Sequence, residues 1–159
     1  MVPYRLLQGF EFFEGLNEDE LKAVAALGHE ENFDEGEVIF QEGTEARRVY
    51  LLLEGRVALR FRLPLKPPSR ETTIDMVSKG GAFGWSALVK PHRLTATAIC
   101  SEPIKCVAFE REDLRRLFQE NNHIGYTVME HLTAVIASRL RDVRLQLIRE
   151  TGQSLMYGW

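Results

Sequence analysis

Few residues in this chain of 159 have the type and spacing for covalent or metal chemistry. The histidines are His29, His92, His123 and His131. None forms the close His-x-His pair that strand-borne metal sites use. His123 and His131 stand too far apart for the adjacent-turn spacing of a helical metal pair. Cys100 and Cys106 each lie in a run that reads as strand and form no Cys-x-x-Cys pair. They read as reduced structural thiols. No acid, base and nucleophile converge in the sequence. The reading is therefore non-enzymatic, with no catalytic residue and no metal ligand, and a cupin-like metal-dependent enzyme stays only as a rival. What remains is Gly80-Gly81-Ala82-Phe83-Gly84-Trp85-Ser86-Ala87-Leu88, followed by Pro91-His92-Arg93-Leu94-Thr95-Ala96-Thr97.

Composition limits what can surround that stretch. The chain is 45% hydrophobic and 27% charged, with a formal net charge of -3. It suits one domain with an added helix and carries no general attraction to nucleic acid or an anionic membrane. No window is long and apolar enough to span a bilayer, and no apolar region follows Arg5 as in a signal peptide. The expected setting is cytoplasmic.

Periodicity then places the elements. Phe10, Phe12, Phe13 and Leu16 open an apolar segment. Asn17 and Glu20 have capping-box spacing, Leu21, Val24, Ala25 and Leu27 recur at helical spacing, and Gly28 is the expected stop. Beyond residue 33 the pattern becomes that of strands: Val38-Ile39-Phe40, the apolar run 49–53, and Val57, Leu59, Phe61 and Leu63 in alternation. Pro64, Pro67 and Pro68 mark a loop, and Thr72, Ile74 and Met76 a return strand. Residues 95–100 and 104–109 supply two more. Short strands with glycine turns point to a sandwich, barrel or jelly roll. Leu114, Leu117 and Phe118 fit a short helix. A long one is expected over about 124–149, leaving 150–159 as a tail.

The order and motifs resemble the cyclic nucleotide-binding domain, as in the sensor domains of catabolite-regulator and oxygen-regulator transcription factors. Glu42-Gly43, then Val49-Tyr50-Leu51-Leu52-Leu53-Glu54-Gly55-Arg56-Val57, look like the family's turn and its strand-glycine-strand signature. Gly81-Ala82-Phe83-Gly84, Ala87-Leu88 and Ala96-Thr97 look like parts of its phosphate-binding cassette. The resemblance covers residues 10–149. It implies a mainly β fold with flanking helices: a double-stranded β-helix, or jelly roll, over about 33–109, with a long C-terminal dimerisation helix. It also implies a regulatory role and a cyclic nucleotide ligand, cyclic AMP or cyclic GMP. The amides of Ser86, Ala87 and Leu88 would meet the cyclic phosphate, and small Gly84 and Ala87 would admit it.

Two positions depart from that pattern. Trp85 stands where the family usually has a glutamate that accepts from the ribose 2'-hydroxyl, and an indole offers only a donor. Either Trp85 lines an altered pocket or it fills an obsolete one. Leu94 stands in the slot of the family's phosphate-binding arginine, with Arg93 one position early. Arg93 turns inward if the loop is bulged and outward if the strand starts normally. Thr95 lies at the cassette exit with a hydroxyl for the phosphate. The resemblance thus implies weak or non-standard ligand binding, or a ligand-free module kept for dimerisation or protein docking.

Tyr126, Met129, Thr133, Ile136, Leu140, Val143 and Leu147 follow heptad spacing, so the long helix is expected to pair in a homodimer. Val128, Leu132, Val135 and Leu145 widen its apolar surface. Arg139, Arg141, Arg144 and Arg149 alternate with acids and read as a solvated face. If the chain is complete, residues 150–159 are too few for a helix-turn-helix, and no direct DNA binding is expected. Its output then passes to a downstream protein partner.

Overall fold

The computed structural model describes residues 1–62 and 71–157. The proline loop expected at Pro64, Pro67 and Pro68 lies outside the described residues, as do the last two residues of the tail.

Helix α1 (Glu18–Ala25) starts at the capping box. The Glu20 amide donates to Asn17 Oδ1 at 2.9 Å, and the Asn17 amide donates back to Glu20 Oε2 at 3.0 Å. Gly28 follows the helix without the left-handed conformation of a glycine stop. Its role is close approach: a Cβ there would lie 2.8 Å from Val107 Cγ1.

Eight strands follow: β1 (His29–Phe33), β2 (Val38–Phe40), β3 (Arg48–Glu54), β4 (Val57–Arg62), β5 (Glu71–Val77), β6 (Ala82–Phe83), β7 (Thr97–Cys100) and β8 (Ile104–Glu110). They form two antiparallel four-stranded sheets, ordered β1-β8-β3-β6 and β2-β7-β4-β5. Each sheet takes strands from both ends of the segment, which is the jelly-roll arrangement. Strand β1 was absent from the sequence expectation. Its residues, His29-Glu30-Glu31-Asn32-Phe33, show no apolar alternation, and its register comes from pairing with β8.

The apolar run in β3 has a simple cause. Tyr50 and Leu52 point into the core between the sheets, with Cys106, Ala108 and Phe83. Val49 and Leu51 point the other way, into a second core shared with Phe13, Val24, Phe109, Ile124 and Leu132. A strand buried on both faces cannot alternate. The second core glues the roll to the helices.

Helix α2 (Arg111–Glu120) leads directly into α3 (Asn122–Tyr157). The latter continues past Arg149 through the segment expected as a tail. No proline interrupts it, and a single helical glycine such as Gly152 costs only about 1 kcal/mol relative to alanine. The N-terminal half of α3 is tied to the start of the chain. His123 Nδ1 lies 2.7 Å from Glu20 Oε1, and His131 Nε2 donates to the Glu14 carbonyl at 2.8 Å. Ile124, Val128 and Leu132 are buried, whereas residues 140–150 are all exposed. No helix among the described residues is long and apolar enough to cross a membrane.

Candidate functional site

Strand β6 carries the cassette. It pairs with β3 through Tyr50–Phe83 and Leu51–Ala82 and delivers Gly84 to the start of a one-turn 3-10 helix at Trp85–Leu88. Gly84 is required twice over. Its φ is +70°, in the left-handed region. A Cβ would also sit 2.8 Å from the Arg48 carbonyl oxygen and 3.0 Å from the Tyr50 ring. Ala87 is fully buried. Its amide donates to the Gly84 carbonyl at 3.1 Å, so one of the three amides expected to face a phosphate already has a partner. Ser86 and Leu88 are partly exposed.

The exit of the cassette is zipped to the β2–β3 loop. The Leu94 amide donates to the Thr44 carbonyl at 2.9 Å, and the Leu94 carbonyl accepts from Gly43 at 2.8 Å. Arg93 forms an antiparallel bridge with Glu45. Extended pairing forces side chains to alternate. Leu94 is buried, while Arg93 and Thr95 are exposed. Arg93 Nη1 donates to the Gly43 carbonyl at 2.9 Å. Of the two orientations open to Arg93, the outward one is present, set by an isolated bridge ahead of β7, which itself begins at Thr97. Ala96 is buried in the core between the sheets. The buried hydroxyl near the exit is that of Thr97, whose Oγ1 accepts from the Glu42 amide at 3.0 Å. His92 is partly buried with φ +59°, and its Nδ1 is enclosed without a hydrogen-bond partner among the described residues.

Trp85 is half-buried against the helix-side core. The Arg139 guanidinium of α3 lies over its ring, 5.5 Å from the centroid. Arg139 Nη2 is also 3.3 Å from Asp75 Oδ2 on β5. Arg139 is thus engaged with the roll, unlike the exposed Arg141, Arg144 and Arg149. Neither it nor Asp75 was singled out as a site residue from the sequence. Scattered arginines on a helix give no signal of which one meets the sheet.

Beneath Gly84 the roll is filled by aromatics. Tyr50 and Phe83 stack with centroids 5.0 Å apart, and Phe40 lies 6.0 Å from Tyr50. Burial pushes the Tyr50 phenol up to about 12, so it stays neutral. Two cavities flank the cassette. One of about 470 Å³ lies between α3 and the β5–β6 turn, with Asp75, Gly81, Val135 and Arg139 in its lining. The other, about 450 Å³, is bounded by Phe40, Tyr50, Arg48 and Leu94. Gly81 and Ala82 at the cassette entry line the first cavity, and of residues 84–88 and 93–96 only Leu94 lines either. Burial also raises Cys100 to about 11 and Cys106 to about 12, which leaves both thiols protonated and unreactive. Among the described residues, no group of three or more His, Cys, Asp or Glu side chains has the proximity to hold a metal ion.

A left-handed glycine opening a one-turn helix at the rim of a jelly roll, with a long helix behind it, defines a class. The sequence profile of the cyclic nucleotide-binding domain matches residues 30–121, more than half of the chain, and the chain belongs to that family. Within it, the chain is 26% identical over 129 residues to the CRP-like cAMP-activated global transcriptional regulator of Mycobacterium tuberculosis, covering 81% of this chain and 54% of that protein. The cGMP-dependent protein kinase isozyme 1 of Drosophila melanogaster is 28% identical over 112 residues, covering 70% of this chain and 14% of the kinase. The chain thus spans about half of that regulator and a small part of that kinase. A crystal structure of a candidate cyclic nucleotide-binding protein from Geobacter metallireducens GS-15 superposes with a TM-score of 0.74 at 31% identity, covering 88% of this chain and 99% of that one.

Proposed function

We propose that this chain is a non-catalytic regulatory module of the cyclic nucleotide-binding type, whose altered cassette binds cyclic AMP and cyclic GMP weakly or takes a non-standard ligand. Burial of Leu94 carries this reading. The side chain in the slot of the cassette arginine is apolar and packs in the core, while Arg93 turns outward to a backbone carbonyl. A phosphate in the cassette would lack the charge-assisted bond that the slot normally provides. Trp85 supports the same reading, since it offers the ribose no acceptor and its ring is occupied by Arg139.

The second reading, a ligand-free dimerisation or docking module, is favoured by the closure of Trp85 under Arg139. Both readings use α3 as a homodimer helix. Tyr126, Leu140, Val143 and Leu147 expose an apolar stripe at heptad spacing, while Met129 is partly exposed and Ile136 packs on the domain's own core. Such a stripe favours a partner helix. Charged residues at both Ile136 and Leu140 are expected to give monomers or insoluble protein. A wild-type monomer in sedimentation at about tens of micromolar, well above a nanomolar-to-micromolar dimer constant, would refute the dimer.

The choice between the two readings is a titration of the purified chain with cyclic AMP, cyclic GMP and cyclic dinucleotides, followed by calorimetry and melting. A saturable melting shift with any of them supports the sensor. No shift with all of them supports the docking module.

A further inference from the structure

Helix α3 changes its surroundings at Arg139. Before it, Ile124, Val128 and Leu132 are buried and Ile136 packs on the same core. After it, residues 140–150 are exposed. Arg139 is therefore the last side chain of α3 engaged with the roll before the exposed segment. It meets two elements at once: Asp75 on β5 at 3.3 Å, and the face of Trp85 in the cassette at 5.5 Å. Among the described residues, it makes the only ion pair between α3 and either sheet.

A guanidinium can do both together because its N–H groups lie in its plane and its face is free to stack. Its side chain is 30% exposed, between the exposed arginines beyond it and a core residue. The aromatic platform exists only because Trp85 occupies a position where the family usually has a carboxylate. The substitution that removes a ligand contact therefore creates a seat for the helix.

We propose that Arg139 is a positioning residue that latches α3 to the cassette through Trp85 and Asp75 with no ligand required. The latch fixes where the helix leaves the roll, and hence the angle at which its exposed apolar stripe is presented. It stands on contacts within one chain and holds whether or not a cyclic nucleotide binds. An exposed ion pair and a cation–π contact of this kind together bias an attached-to-detached equilibrium by about tenfold.

Paired spin labels test it. Cys100 and Cys106 are buried and protonated, so labels go to cysteines introduced at exposed Glu102, in the β7–β8 turn, and exposed Gln146 on α3. Labelled protein is diluted with unlabelled protein so that only distances within one chain are read. Without nucleotide, the parent should give one narrow distance distribution. Arg139→Gln and Asp75→Asn should each add a second, broader population, with unchanged circular dichroism. Arg139→Lys should fall between, keeping the charge for Asp75 and losing the flat stack. The latch is overturned if Arg139→Gln leaves the distribution unchanged, or if the parent is already broad.

Discussion

The two halves of the proposed cassette are built differently. The leading half, Gly84 to Leu88, keeps a backbone geometry that only glycine satisfies at its first position. The exit half, Arg93 to Thr95, pairs by its backbone with the β2–β3 loop and, in the reading proposed above, turns no charged side chain toward a phosphate. Leu94 is in the core, and Arg93 and Thr95 face solvent. Architecture and ligand chemistry are thus separable. Gly84 is required by its φ of +70° and by the close approach of Arg48 and Tyr50, which leaves no room for a Cβ, and both are demands of the fold that make no reference to a ligand. The Leu94 side chain makes only apolar contacts, and its backbone is tied to Thr44 and Gly43, so neither calls for a ligand.

The difference can be broken by substitution. Gly84→Val should be the most damaging, because it forces a β-branched residue into φ +70° and drives its Cβ against a backbone carbonyl. A loss of about 3 kcal/mol or more is expected in denaturant melts, or failure to fold. Leu94→Ala should cost about 2–4 kcal/mol, as a buried leucine truncation. Trp85→Ala should cost about 1–3 kcal/mol, less than a fully buried aromatic because the indole is half-exposed. A change below about 1 kcal/mol would mean that Trp85 lines a site and does not fill one. Arg93→Ala should be nearly silent, within about 0.5 kcal/mol, since the residue is exposed and donates one hydrogen bond.

Sequence reached the fold further than it reached the site. The two-sided burial of β3 is written in its unbroken apolar run, and the helix start in Asn17 and Glu20. Strand β1 was illegible because polar residues on a strand paired mainly through its backbone leave no period. The extension of α3 past Arg149 was illegible because exposed residues carry no core-facing pattern. In the cassette, the family resemblance marks Trp85 and Leu94 as departures, since both are residue types at fixed offsets from the motif glycine and alanine. It left the direction of Arg93 open, because one bulged residue reverses every side chain beyond it. Asp75 and Arg139 meet across more than sixty residues of chain, and nothing local in either segment signals the other.

The most direct measurement is calorimetric titration of cyclic AMP and cyclic GMP into the wild-type chain and into the double variant Trp85→Glu with Leu94→Arg. A lost ribose acceptor and a lost charge-assisted bond together weaken binding by about two decades or more. The wild type should bind on the order of tens of micromolar or weaker, and the double variant measurably more tightly on the same backbone. Submicromolar binding by the wild type would contradict the reading of Leu94 and Trp85 as a cassette without its ligand groups.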